Sequence, residues 1–453
     1  MEERLEEIGM QNVLILGAGL VARPLVRYLL DQPGLKVTVA SRTVAKAEAL
    51  IEGHPRGVAE ALLVDDEAHL DALVAGCDLA ISMVPYTYHV VVAKHCIKHK
   101  KHMVTTSYVS DAMAALDGEA KAAGITILNE LGLDPGIDHM SAMRIIDGVH
   151  SRGGQIVSFE SCCGGLPAPE ANDNPFGYKF SWSPRGVVMA GRNAAKYLKD
   201  GKVVEIPGEA LFDHYWTRKV DTLGELEVYP NRNSLPYINT YGIQETKTMF
   251  RGTFRNLGWC KTMKKIVELG MLDDKVRKVK GMTFADLTRQ LVGAAPGKDL
   301  RAAAAEFLKL PVDSDVMHRL EWLGLFSSDP LPMEEGSNLD ILAARMLQKM
   351  AYRPNERDMI VLVHDFVADF PKEKRREKIT SSLIDFGIPG GDSSMSRTVG
   401  LPAAIGARYI LEGKITRKGV IIPVWPEIYV PILNELEKLG IKCKESTEVL
   451  RPA

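Results

Sequence analysis

Over its first third the chain alternates between apolar runs of strand length and stretches with helical spacing. "NVLILGAG" runs into glycines and precedes a helical stretch over Leu20–Leu30. "KVTVASR", a helical "TVAKAEALIEG", "AEALLV", a helix around His69–Ala75 and "CDLAISMVP" continue the pattern. "HMVTTS", a helix over 110–123 and "GITILNELG" complete it. Apolar strands separated by helices are buried on both faces, so this order predicts a parallel sheet covered by helices on both sides.

The first strand ends in Gly17-Ala18-Gly19-Leu20-Val21-Ala22, which fits Gly-x-Gly-x-x-Ala between a strand and a helix. Gly17 allows the tight turn, Gly19 lets backbone approach a pyrophosphate at the helix N-terminus, and Ala22 keeps helix and strand close. Gly17, Gly19, Leu20, Val21 and Ala22 are therefore assigned to cofactor binding. The second strand ends in Ser41-Arg42-Thr43. An acid there would accept from a free ribose 2′-hydroxyl and repel a 2′-phosphate; an Arg flanked by hydroxyls suits the phosphate through charge-assisted bonds. Ser41, Arg42 and Thr43 thus select NADP(H) over NAD(H). Strand C-termini in such a sheet face the ligand crevice. Val84, Thr106 and Ser107 are placed near the nicotinamide end, with Tyr108 at the junction to substrate.

Beyond residue 134 the composition changes. The stretch to "TMFRGTFR" is rich in strand, aromatic and turn residues, whereas 258–350 shows apolar spacing of three and four almost throughout. "DMIVLVHDFVADFP" with "KRREKITSSLIDFG" reads as a strand pair, and "SMSRTVGLPAAIGARYILEGKI" as a long small-residue helix returning to the first domain. The expected organisation is α/β. A Rossmann-type domain takes 1–133 with 393–453, a mixed α+β substrate and dimerisation domain takes 134–257 with 351–392, and a helical domain takes 258–350.

Three polar, glycine-rich segments stand out: "NELGLDPGIDHM", "CCGGLPAPEANDNPFGYKFSWSPRG", and "YPNRNSLPY" with "FRGTFR". The second carries Lys179 and Arg185, and the third Arg232, Arg251 and Arg255. Guanidinium groups beside glycine backbone imply an anionic ligand, carboxylates above all. A net charge of −2 gives no footprint for nucleic acid or an anionic membrane. The longest apolar runs are broken by glycine and too short to span a bilayer. The acidic start MEERLEEIGM does not suit a secretory or mitochondrial presequence. Six cysteines without a CxxC pair argue for a reducing, cytoplasmic setting, no disulfide framework and no metal. A Gly-x-Ser-x-Gly elbow is also missing, against a serine hydrolase.

"LGLDPGIDHM", "CGGLPAPE", "NPFGYKFSWSPRGV" and "YPNRNS" resemble segments of the NADP-dependent, L-glutamate-forming saccharopine dehydrogenases, and the resemblance runs from the Gly17 turn to the last long helix. It implies a Rossmann domain, a mixed substrate domain and a helical insertion, assembled as homodimers. The implied reaction condenses 2-aminoadipate 6-semialdehyde with L-glutamate to an imine, which NADPH reduces to saccharopine. Saccharopine carries three carboxylates and two amines. Arg232 and Arg251 then meet carboxylates, assisted by Gly252 and Thr253; Asp134 meets an amine; Ser107, Tyr108 and Ser183 position the ligand. Thr106, Ser107, Leu133, Asp134 and Pro135 also touch the cofactor or border it. Proton transfers in carbinolamine formation and dehydration call for an acid or base, and Asp134, Tyr108 and Cys163 are the candidates. Two rivals are a related imine reductase of the carboxynorspermidine type, whose substrate has fewer carboxylates, and a non-catalytic NADP(H)-binding protein.

Overall fold

The computed structural model describes residues 10–450. Residues 1–9, on which the reading of the N-terminus rests, lie outside the described residues. The chain divides into two compact units, 1–154 with 391–444 and 155–390 with 445–453.

The first unit is built on the expected parallel sheet. Strands β1 (Gln11–Leu16), β2 (Leu35–Ser41), β3 (Gly57–Ala61), β4 (Leu79–Ser82), β5 (His102–Thr105) and β6 (Thr126–Leu128) lie in the order 3-2-1-4-5-6. A seventh strand, Gly419–Ile421, extends the sheet beside β6. Every pairing is parallel. The strands are buried because helices cover them; Val13, Ile15, Val37, Val39, Leu79 and Ile81 expose no surface.

The helix over 110–123 is two short helices, Asp111–Ala114 and Asp117–Ala123. Met113 and Leu116, at either side of the break, are both buried. The small-residue helix Ser394–Leu411 packs on the first helix, Arg23–Leu30. A side-chain carbon at Gly400 would lie 2.9 Å from the Val21 carbonyl oxygen, so the small residue sets the approach. Helices Ile137–Ser151 and Pro426–Lys438 complete the unit and were not anticipated. Ile137–Ser151 is buried on nearly every side despite polar letters such as Asp138, His139 and Ser141. It therefore offers no one-sided apolar stripe to read.

The second unit centres on a nine-stranded mixed sheet. Its strands include β7 (Gln155–Pro167), β8 (Ala195–Lys199), β9 (Lys202–Ile206), β10 (Trp216–Val220), β11 (Gly224–Pro230) and β12 (Thr248–Arg255). The path runs 10-11-12-7, continues through the hairpin Asp358–Phe370 and Arg375–Phe386, and ends at Lys444–Leu450; β8 and β9 branch from β12. β7 pairs with β12 in parallel and with Asp358–Phe370 in antiparallel fashion. Five helices follow between 259 and 349, as the spacing predicts, joined by a small ribbon of Arg277–Lys278 and Glu335–Gly336. Thr283 and Ser337 start two of them with reciprocal capping boxes to Asp286 and Asp340. One core joins these helices to the sheet: Met263, Leu287, Leu320 and Leu342 share it with Leu166, Val228 and Val361.

Candidate functional site

Gly17 sits in left-handed backbone, φ +112°, and a side-chain carbon there would lie 2.8 Å from the Met83 carbonyl oxygen at the end of β4. Only glycine fits that turn. Gly19 has nothing within 4 Å of the equivalent position, which leaves its backbone open to an approaching group. Ala22 is fully buried at the start of helix Arg23–Leu30. No side chain caps that helix and no acid stands in its first turn. Its free N–H groups fit a dinucleotide pyrophosphate. Leu20 is 64% exposed and Val21 half-buried beside them.

At the end of β2, Arg42 and Thr43 are exposed and Ser41 half-buried. The Thr43 N–H donates to Ser41 Oγ at 3.3 Å. Among the described residues Arg42 has no carboxylate partner, unlike Arg23, which is held by Glu52 and Asp392. An unpaired guanidinium beside two hydroxyls fits a phosphate monoester. These features suit the phosphorylated dinucleotide that the turn and Arg42 imply.

The ends of β4 and β5 and the loop after β6 come together in this unit. Val84 is half-buried and packs against the sheet's core. Leu131 N–H donates to the Thr105 carbonyl at 3.2 Å and Glu130 N–H to the Ser107 carbonyl at 3.1 Å. Gly132 lies so close to Thr106 that a side-chain carbon would stand 3.2 Å from its Cβ. Gly136 is tighter still: φ is +146° and a side-chain carbon would collide with Gly132. This compact loop carries Leu133, Asp134 and Pro135, and it sets Asp134 Oδ1 to accept the Tyr108 hydroxyl at 2.6 Å. Thr106, Ser107, Tyr108 and Leu133–Pro135 are thus neighbours, as expected.

Sequence reasoning missed the groups beneath them. Glu130 is buried; its Oε1 accepts the Val109 N–H at 2.9 Å and its Oε2 meets His139 Nε2 at 2.7 Å. It ties the end of β5 to the helix that follows the loop. His89, 5% exposed, places Nδ1 2.8 Å from Ser82 Oγ and Nε2 2.8 Å from Ser107 Oγ. Burial pulls its pKa down to about 4, so the ring is neutral. The available signal was the position of Ser82 and Ser107 at the ends of neighbouring strands; His89 itself starts a helix with no visible motif.

In the second unit the parallel register sets Arg251, Gly252 and Thr253 of β12 beside Ser161, Cys162 and Cys163 of β7. Arg251 is 2% exposed, with its guanidinium carbon 4.5 Å from the centre of the Tyr237 ring. Its carbonyl accepts the Asn231 N–H at 2.8 Å, which brings exposed Arg232 beside it in space although the two lie far apart in sequence. Arg232 itself adopts positive φ, +54°. Gly252 is hemmed in: a side-chain carbon would stand 2.6 Å from the Phe250 ring. Thr253 is half-buried. Cys163 is buried at 8% exposure, and its neighbour Cys162 faces the unit's core, where burial pushes its thiol up to about 12.

Two other cations in these segments are held by carboxylates, while a third, Arg255, has no carboxylate partner among the described residues. Lys179 is buried between Asp173 at 2.8 Å and Glu356 at 2.7 Å, and Arg185 pairs with Asp340 at 2.8 Å. Arg255 is sunk among aromatic rings, 5.0 Å from Tyr178 and 5.3 Å from Trp259. Charge in a loop thus overstated the anion site. Ser183 caps helix Pro184–Ala190, its Oγ accepting the Gly186 N–H at 3.2 Å. No other candidate side chain meets it among the described residues.

The sequence does hold a metal-like spacing, His95-x-x-x-His99. His95 and His99 stand four apart on a helix and both meet Asp71 Oδ1 at 2.8 Å. Lys98 shares that carboxylate, putting an ammonium where a metal would need room. Among the described residues no group of three or more His, Cys, Asp or Glu could hold a metal ion, and no helix is long and apolar enough to cross a membrane.

A parallel sheet of this order, with a glycine turn and an uncapped helix at the end of its first strand, defines a dinucleotide-binding protein of the Rossmann type. Residues 13–128 match the saccharopine dehydrogenase NADP binding domain, and residues 132–441 the saccharopine dehydrogenase C-terminal domain. The chain is 43% identical over 446 residues to the saccharopine dehydrogenase [NADP(+), L-glutamate-forming] of Pyricularia oryzae, covering 96% of this chain and 98% of that protein. It is likewise 43% identical to the protein of that name from Saccharomyces cerevisiae, covering 96% of this chain and 99% of that protein. The solved structure of apo histidine-tagged saccharopine dehydrogenase (L-Glu forming) from Saccharomyces cerevisiae superposes with a TM-score of 0.86 at 42% identity, covering 97% of this chain and all of that one. The mitochondrial alpha-aminoadipic semialdehyde synthase of Mus musculus is 38% identical, and the match spans 48% of that protein. The chain belongs to the saccharopine dehydrogenase family.

Proposed function

We propose that this chain is an NADP(H)-dependent saccharopine dehydrogenase of the L-glutamate-forming type, interconverting L-saccharopine with 2-aminoadipate 6-semialdehyde and L-glutamate. The observation that carries this reading is the full-length correspondence, at 41–43% identity over 96% of the chain, with three proteins of that printed name. The open Gly19 backbone, the uncapped helix and unpaired Arg42 support the cofactor.

The Gly17–Ala22 turn would hold the pyrophosphate, and Ser41, Arg42 and Thr43 the 2′-phosphate; Val84, Thr106, Ser107 and Leu133–Pro135 would border the nicotinamide end. When bound there, NADP(H) would supply or accept the hydride at the ε-carbon of the lysine-derived arm, on that side of the secondary amine of saccharopine. Oxidation leaves an imine at that bond; water adds to its carbon, and the carbinolamine breaks to aldehyde and glutamate. Water addition and amine departure each move a proton. Asp134, steadied by the Tyr108 hydroxyl, is the group we assign to take and return it, with Cys163 as the second candidate. Arg251 and Arg232 would grip carboxylates, Gly252 and Thr253 adding backbone and hydroxyl contacts. Holding the reactants in register can contribute roughly 7–11 kcal/mol, so orientation is the larger part of the task. Ser183 keeps a place in this reading only through its hydroxyl proton, since its oxygen already caps a helix.

We further propose a homodimer in the cytoplasm, supported by the family resemblance and, for the compartment, by six buried cysteines that form no disulfide; sedimentation of the purified chain tests the assembly. The deciding assay follows NADPH formation from saccharopine, with NAD+ in parallel, and NADPH oxidation by semialdehyde with glutamate or with a diamine. Turnover of saccharopine with NADP+ is expected. Activity with the diamine alone would replace the substrate, and tight NADPH binding without any turnover would replace the enzyme.

A further inference from the structure

His89 lies under the ends of β4 and β5, and all its ring contacts are hydroxyls. Nδ1 meets Ser82 Oγ at 2.8 Å; Nε2 meets Ser107 Oγ at 2.8 Å and Thr105 Oγ1 at 3.3 Å. Ser82 and Thr105 are fully buried, and His89 is 5% exposed, whereas Ser107 is half-buried and reaches toward solvent. Ser107 N–H is also held, donating to Thr105 Oγ1 at 3.4 Å. Four polar groups therefore form one closed arrangement whose only member with open surface is Ser107.

A neutral imidazole has one N–H and one lone pair, so the ring exists as one of two tautomers. With the proton on Nε2, the ring donates to Ser107 Oγ and receives the Ser82 hydroxyl; Ser107 then directs its own proton outward. With the proton on Nδ1, Ser107 donates to Nε2 and shows a lone pair outward. The first tautomer leaves only the Thr105 hydroxyl proton without an imidazole acceptor; the second gives the single Nε2 lone pair to Ser107 and leaves the hydroxyl protons of both Ser82 and Thr105 without one. In the favoured first arrangement Ser107 Oγ keeps its own proton and a second lone pair, so it can offer a donor or an acceptor outward.

We propose that His89 is a positioning residue for the reaction, fixing Ser107 and letting its hydroxyl present either a donor or an acceptor to the ligand. The need for both follows from the chemistry: a secondary amine, an imine and a carbinolamine differ in whether their nitrogen and oxygen give or take a hydrogen bond. The proposal rests on the reading above that Ser107 touches ligand.

The test is a double-mutant cycle on the full chain, using saccharopine and NADP+, with urea midpoints and NADPH affinity recorded for each variant. His89→Phe fills the space and removes both nitrogens; His89→Gln keeps one donor and one acceptor at the Nε2 end. We expect His89→Phe to lower kcat/KM about tenfold or more with NADPH affinity within about threefold, and His89→Gln to recover most of the loss. Ser107→Ala combined with either His89 variant should be no worse than Ser107→Ala alone, because the ring acts through that hydroxyl. If His89→Phe does not fold, His89→Leu, smaller and equally without hydrogen-bonding nitrogens, takes its place in the cycle. Losses that multiply, or wild-type kinetics in His89→Phe, overturn the proposal while leaving Ser107 in the site. Wild-type kinetics in Ser107→Ala remove Ser107 from the site and the proposal with it.

Discussion

The strand ends of the first sheet and the strand β12 of the second both carry candidate ligand groups, yet they were assembled differently. In the first unit the topology does the work: parallel strands deliver the turn at Gly17, the end of β2 at Arg42 and the β5 end at Thr106–Tyr108 to one edge of one sheet. Any sequence read as alternating strands and helices puts those residues together. In the second unit Arg251 and Arg255 lie four residues apart on one strand, both buried and each over an aromatic ring. Arg251 rests on Tyr237 with Arg232 drawn beside it by a backbone hydrogen bond, while Arg255 is boxed by Tyr178 and Trp259. Spacing along a strand does not tell the surroundings of the two apart; their neighbours, Tyr237 and Trp259 on helices and Tyr178 in a loop, do.

That contrast can be broken most sharply at Asp134. Asp134→Asn keeps the shape and the Tyr108 contact but removes the charge. It should lower kcat by about 100-fold, the low end of what general acid–base groups contribute, with little change in the urea midpoint. Unchanged kcat would take Asp134 out of the chemistry. Gly17→Val comes next. It places a β-branched residue at φ +112° against the Met83 carbonyl, and strain of order 1–3 kcal/mol with a steric clash should weaken NADPH binding roughly 100-fold. Calorimetric titration reads this directly, and wild-type affinity would mean the turn does not face the cofactor.

Arg42→Asp sharpens the same comparison at the end of β2. It should reduce the preference for NADPH over NADH by about 30-fold, by losing an attraction and gaining a repulsion. Equal losses for both cofactors would make Arg42 structural. In the second unit the paired test is Arg232→Ala against Arg185→Ala. The first should raise the KM for saccharopine about tenfold; the second, which breaks an exposed ion pair with Asp340, should leave kinetics within about twofold. Equal effects would erase the distinction between ligand and structural cations.

The smallest effect is in pH-dependent stability. His89 binds its proton near pH 4 when folded and near 6.5 when unfolded. Between those values the unfolded chain holds more protons, so the stability associated with the neutral ring is complete above about pH 6.5 and is lost as pH falls through about 4. The slope is at most about 1.4 kcal/mol per pH unit. Urea midpoints at pH 7 and pH 5 should fall more steeply for the wild type than for His89→Phe. Identical slopes would show that His89 does not titrate as a buried neutral ring.

Most of the first unit was legible because its signals are local. Apolar runs, a glycine turn and strand-end positions each sit within a few residues, and the parallel topology converts them into a site. What escaped was held by burial: helix Ile137–Ser151 has no polar face to announce it, and the strand Gly419–Ile421 is too short to show a period. Glu130, His139 and His89 escaped for a related reason. Buried polar residues become interpretable only when their partners are known, and those partners are Ser82 at the end of β4 and Ser107 and Val109 just beyond the end of β5. Lys179 and Arg185 misled in the opposite direction, since the acids that neutralise them, Asp173, Glu356 and Asp340, come from elsewhere in the chain.

By itself the sequence determined the class of fold, the glycine turn and a cation between two hydroxyl residues at the end of the second strand, because each depends on backbone geometry and charge within a short window. Only the tertiary structure decided that Lys179 and Arg185 are held by carboxylates and which hydroxyls are held by a neutral histidine. Pairing and desolvation are properties of surroundings, and the surroundings of a buried group are supplied by residues that no local window contains.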